Sequence, residues 1–328
     1  MKIAHVLTRF SPSENPGGVE RVVEEIAKRQ AEKHEVELIC RNQFDDDSRE
    51  DYRNFTVKRA DTIDFRGLRT FSSLFTMRKL IKESEADIFH IHDWSPYLNY
   101  KAASAPKKSV LTLHNLENKY IGSKIQNYVA KNAPKATAVS KWLNDRTYTT
   151  KVIYNGVDLE KFQVSEKTDN YALFVGSLTE RKGALEIAKA CQSQDIDLKM
   201  VGTGPLESKL SQMDVELLGN VEEEDLIQIY AKSDFLALPS RKEGFGLVWG
   251  EALSSGKPVL ATKTGFGAEI PEYCGEILDP KYKLEQLKKS LDDLRNRGFE
   301  TNRIRGFAEK NLEWDKITSD YLKVYRSL

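Results

Sequence analysis

Short apolar runs alternate with longer segments whose apolar positions return every three to four residues. In the first half the runs Lys2–Leu7, Val36–Cys40, Asp87–Trp94, Lys108–His114, Ala136–Val139 and Lys151–Tyr154 predict strands. In the second half Tyr171–Val175, Leu198–Val201, Val215–Leu218, Phe235–Leu238, Val259–Ala261 and Glu276–Leu278 do the same. Helical spacing marks Val19–Lys33, through Val19, Val22, Val23, Ile26 and Ala27, and Leu68–Ile81. It recurs in a segment opening at Ser140-Lys141, in one from Ala184, and in Asp225–Lys232, Leu247–Leu253, Lys283–Asn296, Arg303–Asn311 and Trp314–Leu328. Strands that alternate with helices in this way predict parallel sheets in an α/β fold. At 328 residues the chain has room for two such domains.

Composition narrows the picture. Lysine plus arginine and aspartate plus glutamate both number 50, so no global charge points to nucleic acid. The opening MKIAHVLTRF has too short an apolar run for a signal peptide, and no stretch approaches a membrane span. Cys40, Cys191 and Cys274 are scattered, without metal spacing, as in a reducing compartment. A cytoplasmic protein is expected, in solution or peripheral at a membrane surface. Lys101–Lys151 carries ten basic residues against Glu117 and Asp145. That is either a solvated face or a surface for anionic lipid or a phosphorylated acceptor. The acidic run Phe44–Asp51 is expected to be a loop.

The chemistry concentrates in SDFLALPSRKEGFGLVWGEALSSGKPVLAT, residues 233 to 262. This reads as strand, glycine loop, buried helix, strand, and ligands bind parallel sheets where strand ends meet helix starts. Gly244, Phe245, Gly246 and Leu247 lie at that helix start, where backbone N–H groups can receive a phosphate. Glu251 falls inside the apolar helix and needs polar partners if buried. Its carboxylate can accept both hydroxyls of a ribose diol, and Glu243 can take sugar hydroxyls on the other side of the phosphates. Gly17-Gly18 likewise stands directly before a helix. Arg181 and Lys182, in a glycine-bearing loop after a strand, can neutralise a diphosphate.

The E-x7-E spacing of KEGFGLVWGEALSSGKPV resembles the signature of family 4 glycosyltransferases, retaining enzymes of the GT-B fold. Gly17-Gly18 followed by Glu20-Arg21, and Lys182 before Gly183, are similar to further family motifs. Ser177 stands where the family usually has arginine. The resemblance implies two Rossmann-like domains facing a cleft, with the C-terminal helix crossing back to the first. The first would span residues 1–160 plus 312–328 on the acceptor side, and the second 161–311 with the nucleotide-sugar. The resemblance places His114 at the catalytic centre and the backbone at Val221 on the nucleotide base. It implies transfer of a hexose from a nucleotide-diphosphate sugar to a saccharide or lipid-linked acceptor, with no cofactor and no metal. Two other readings stay open. His90, His92 and His114 could hold a metal for hydrolysis. Alternatively, the chain is an inactive sugar-nucleotide-binding module, for which Ser177 is the motive.

Overall fold

The computed structural model describes residues 1–11, 17–42, 46–60, 69–102, 108–117, 119–165 and 167–328. They form two units: Met1–Ile153 with Trp314–Leu328, and Tyr154–Glu313. The first division falls seven residues before the expected 160 and the second two residues after the expected 312.

The first unit is built on β1 (Lys2–Arg9), β2 (Glu35–Arg41), β3 (Arg49–Tyr52), β4 (Phe55–Ala60), β5 (Ile88–His92), β6 (Lys108–Leu113), β7 (Lys135–Ala138) and β8 (Lys151–Val152). Their order is β3-β4-β2-β1-β5-β6-β7-β8, and every pair is parallel except β3 with β4. β5 is buried at all five positions, as a central strand covered on both faces must be. Its alternation sends His90 and His92 to one face and Phe89 and Ile91 to the other. The helix Gly18–Gln30 packs on the terminal helix Trp314–Arg326, which in turn meets β6. Tyr321 and Tyr325 of the terminal helix lie against His90, with ring centroids at 4.7 and 5.6 Å.

The second unit holds β9 (Ala172–Val175), β10 (Leu198–Val201), β11 (Glu216–Gly219), β12 (Phe235–Ala237), β13 (Val259–Thr262) and β14 (Gly275–Leu278). All its pairs are parallel, in the order β11-β10-β9-β12-β13-β14. The strand order therefore reverses at β9 and β12, and a crevice for ligands opens at such a switch point. The same reversal occurs at β1 and β5 in the first unit.

Several elements differ from the sequence-based expectation. The acidic run is not wholly a loop: Arg49–Tyr52 is an antiparallel edge strand, while Phe44 and Asp45 lie outside the described residues. Its acids have a structural use. The buried guanidinium of Arg59 reaches Glu50 at 2.7 Å and Asp46 at 3.5 Å, which offsets the cost of burying its charge. The first residue of the expected helix Leu68–Ile81 is also outside the described residues, and the helix runs Arg69–Glu83. Helices Trp94–Ala102 and Tyr120–Asn132 were not anticipated. The second buries only Gln126, Val129 and Ala130 and exposes Tyr120, Ile121 and Tyr128, which hides the helical period. Among the described residues no helix is long and apolar enough to cross a membrane.

Candidate active site

In the second unit the loops after β9 and β12 meet at the switch point. The loop after β9 passes through Gly176 to Thr179, whose hydroxyl caps the short 3-10 turn Glu180–Lys182. That turn sets Lys182 so that its Nζ donates to Glu243 Oε1 at 2.6 Å, and both side chains are largely shielded from water. Arg181 donates to the Lys242 carbonyl at 2.8 Å and stands 3.7 Å from the same Glu243 oxygen. Two cations therefore share one carboxylate and leave net positive charge for an anion. Ser177 is exposed, and Arg181 from the next turn occupies the Glu243 loop.

Glu243 leads into Gly244, Phe245 and Gly246, then the helix Leu247–Ser254. Gly246 is left-handed, with φ of 93°, and a Cβ there would lie 2.4 Å from the Trp249 ring. Only glycine makes this turn without displacing the indole. No side chain caps the helix start, so its leading N–H groups suit an anionic acceptor. Phe245 stacks on Phe266 at 4.8 Å, and its carbonyl accepts from the Phe266 N–H at 2.9 Å. The residue 265–271 loop is thereby fastened to the Gly-Phe-Gly turn. Farther along the helix, Glu251 is 3% exposed and accepts a hydrogen bond from the Tyr230 hydroxyl at 2.8 Å. Val221 follows β11, half-buried, just before the helix Glu223–Lys232 that carries Tyr230.

Tyr230 escaped the sequence reading. Its helix also carries Leu226, Ile227 and Ile229, so the sequence does not mark Tyr230 as the buried residue, whose hydroxyl needs a partner. After β10, Gly202 and Gly204 are glycines required by close packing. A Cβ at Gly202 would come within 2.3 Å of the Gly176 carbonyl oxygen, and one at Gly204 within 2.6 Å of that of Leu178.

In the first unit, Gly17 caps the helix Gly18–Gln30 in extended conformation. Glu20, one turn in, accepts from Arg9 at the end of β1 at 2.7 Å. Arg9 was not singled out from the sequence. His114 follows β6, is 4% exposed, and is held by its backbone N–H to Asp93 Oδ1 at 2.9 Å. Asp93 itself has φ of 69°, and burial raises its carboxyl to about 6.

The metal reading of His90, His92 and His114 changes in the structure. Among the described residues, the three histidines close enough to share an ion are His5, His90 and His92. All six of their ring nitrogens are already hydrogen-bonded: to Gln30, to His114, to Tyr325, to Thr112 and to one another. An ion would have to displace those bonds. Burial pushes His5 down to about 4 and His114 to about 3, with His90 and His92 also lowered.

The unfolded chain protonates its histidines below the ordinary 6.5, while the folded cluster resists until about 4 at His5. Stability from the cluster is full above that upper value and is lost as pH falls through the window. His5 alone is worth about 3 kcal/mol across it. Asp93, raised to about 6, acts in the opposite sense, losing stability as pH rises, but it is one group against four. Thermal unfolding should therefore show the melting temperature falling steadily on acidification from neutrality; a flat profile would contradict the neutral cluster.

Two family models match the chain, one described as Glycosyltransferase Family 4 over residues 16–161 and one as Glycosyl transferases group 1 over residues 157–310. The chain belongs to glycosyltransferase family 4. An uncharacterized glycosyltransferase of Methanocaldococcus jannaschii, MJ1178, is 29% identical over 95% of each chain. Sucrose-phosphate synthase from Thermosynechococcus elongatus superposes with a TM-score of 0.86 at 18% identity, covering 99% of this chain and 98% of that one. Anabaena HepE in complex with UDP-glucose superposes at 0.80 with 20% identity over all of both chains. This glycosyltransferase accordingly has the GT-B fold, and its terminal helix groups with the first unit as the resemblance implied.

Proposed function

We propose that this glycosyltransferase moves a hexose from a nucleotide-diphosphate sugar to a saccharide or lipid-linked acceptor, with retention of anomeric configuration and with no cofactor or metal. The observation that carries the reading is the Lys182–Glu243 pair at the switch point, beside the uncapped start of the helix that buries Glu251. The ribose lies on Glu251, oriented by Tyr230, and the base near Val221. The diphosphate meets Lys182, Arg181 and the amides of Gly244 to Leu247. Gly17 and Gly18, whose backbone opens the helix Gly18–Gln30, are further candidates for donor binding. As the C1–O bond breaks, the leaving diphosphate gains negative charge, and the two cations with the helix start stabilise it. They supply the charge that a metal would supply elsewhere. Glu243, fixed by Lys182, takes sugar hydroxyls, and the acceptor attacks the face that the diphosphate leaves. The UDP-glucose bound to HepE supports the donor class.

Incubation with a panel of nucleotide-sugars and saccharide acceptors, in chelator, tests this. An α-linked product from an α-donor is expected, while an inverted product or metal-dependent turnover refutes the mechanism.

The acceptor side also suits a lipid-linked substrate. Tyr120, Ile121, Tyr128 and Tyr148 are exposed, and lysines accompany them: Lys124 lies 4.2 Å from the centre of the Tyr120 ring and Lys131 5.9 Å from that of Tyr148. Aromatic rings among lysines favour an anionic lipid surface. Sedimentation should be greater with acidic than with neutral liposomes; equal binding removes this part of the reading.

A further inference from the structure

The buried histidines of the first unit form a single line of hydrogen bonds with a definite direction. Gln30 Oε1 lies 2.9 Å from His5 Nε2, His5 Nδ1 lies 3.0 Å from His92 Nε2, and His92 Nδ1 lies 3.0 Å from His114 Nε2. The line ends at His114 Nδ1, which is buried and has no hydrogen-bond partner among the described residues.

A neutral imidazole carries one N–H and one lone pair, so the role of one nitrogen dictates the role of the other. A carbonyl oxygen at Gln30 can only accept, which makes His5 Nε2 a donor and His5 Nδ1 an acceptor. His92 must then donate from Nε2 and accept at Nδ1, and His114 must donate from Nε2. We propose that the Gln30 carboxamide sets the tautomer of His114 through His5 and His92, so that Nδ1 presents a bare lone pair to a substrate hydroxyl. Gln30, His5 and His92 are positioning residues in this account, and His114 is the one that touches substrate.

The Gln30 amide is itself oriented. Its Nε2 donates to the Tyr325 hydroxyl at 3.1 Å. That hydroxyl lies 2.7 Å from His90 Nδ1, and His90 Nε2 lies 2.7 Å from Thr112 Oγ1. Turning the amide over would reverse every bond in both directions and put a proton on His114 Nδ1. The terminal helix, through Tyr325, thus bears on the polarity of a site residue far along the sequence. Burial keeps all four rings neutral at physiological pH, with His114 pushed down to about 3. His114 therefore accepts a hydrogen bond without retaining the proton, which suits orientation of a hydroxyl rather than base catalysis. That the hydroxyl belongs to a sugar rests on the function proposed above; the tautomer does not.

The test is a long-range 1H–15N correlation spectrum of protein labelled with 15N-histidine, at neutral pH, with signals assigned using His114→Gln. The expected spectrum shows His114 protonated at Nε2 and bare at Nδ1. A proton on His114 Nδ1 overturns the proposal. In Gln30→Met the acceptor at the head of the line is gone. There His114 should become a mixture of tautomers, and kcat should fall about three- to tenfold, the worth of one hydrogen bond. Gln30→Met with the wild-type tautomer overturns the proposal even if activity is lost, because the role is then only structural. If that variant does not fold, the wild-type spectrum still decides. A bare Nδ1 in a protein with no transfer activity leaves the relay standing and refutes the function.

Discussion

Lys182→Met should lower kcat by about 10²- to 10³-fold at saturating donor, the usual cost of removing one preorganised stabiliser of transition-state charge. Lys182 is placed for this by two features: the Thr179-capped turn and the short bond to Glu243. The loss should appear mainly in kcat, because charge on the leaving diphosphate is greater in the transition state than in the bound donor. Stability should fall as well, by about 1–3 kcal/mol, since Glu243 loses its nearest charged partner in a shielded position. Arg181, 3.7 Å from Glu243, limits that fall. Glu243→Gln provides the complement. It keeps an oxygen toward Lys182 but removes the charge, and turnover should again fall with the fold intact. Steady-state kinetics beside a thermal melt separates the two effects. A Lys182→Met enzyme within threefold of wild-type turnover would remove Lys182 from the chemistry.

Glu251→Gln should weaken donor binding by about ten- to a hundredfold while changing kcat far less. A hydrogen bond to a charged group is worth about 1.5–3 kcal/mol, and a ribose diol needs two acceptors where the amide offers one. The ribose does not react, so its contacts are equal in the ground state and the transition state and appear in KM. Tyr230→Phe should reproduce part of the effect, because the carboxylate then loses the hydroxyl that orients it at 2.8 Å. The contrast between a kcat defect at Lys182 and a KM defect at Glu251 distinguishes a bound sugar-nucleotide from a merely structural pair of acids. Equal loss in both parameters at Glu251 would argue for misfolding of its helix.

What could be read in the chain follows from the range of each interaction. Glu243, Gly246 and Glu251 lie within a few residues of one another, and the apolar helix around Glu251 announces a buried carboxylate. Strands β9 and β12 were legible because burial on both faces makes them continuously apolar, and β5 because Ile88, Phe89 and Ile91 are interrupted only by His90 and His92. The helix Tyr120–Asn132 was not, because its exposed tyrosines and isoleucine scramble the period. Tyr230 meets Glu251 only after two crossovers bring their helices together, and nothing local encodes that meeting. The same holds for Gln30 and His5. His5 pairs in register with His90 across β1 and β5, and Tyr325 reaches Gln30 from the other end of the chain. Periodicity put His90 and His92 on one face and suggested a metal. Only the cross-strand register shows that their nitrogens are engaged with one another and with the helices above.

The central claim is that Glu243 and Glu251 hold the two ends of an activated sugar whose diphosphate rests between them. A crystal structure of the protein with a nucleoside diphosphate tests it most directly. The account predicts both ribose hydroxyls within hydrogen-bonding distance of Glu251 and the diphosphate on Lys182 and the amides of Gly244 to Leu247. A nucleotide bound with its ribose away from Glu251, or with its phosphates elsewhere, would contradict it.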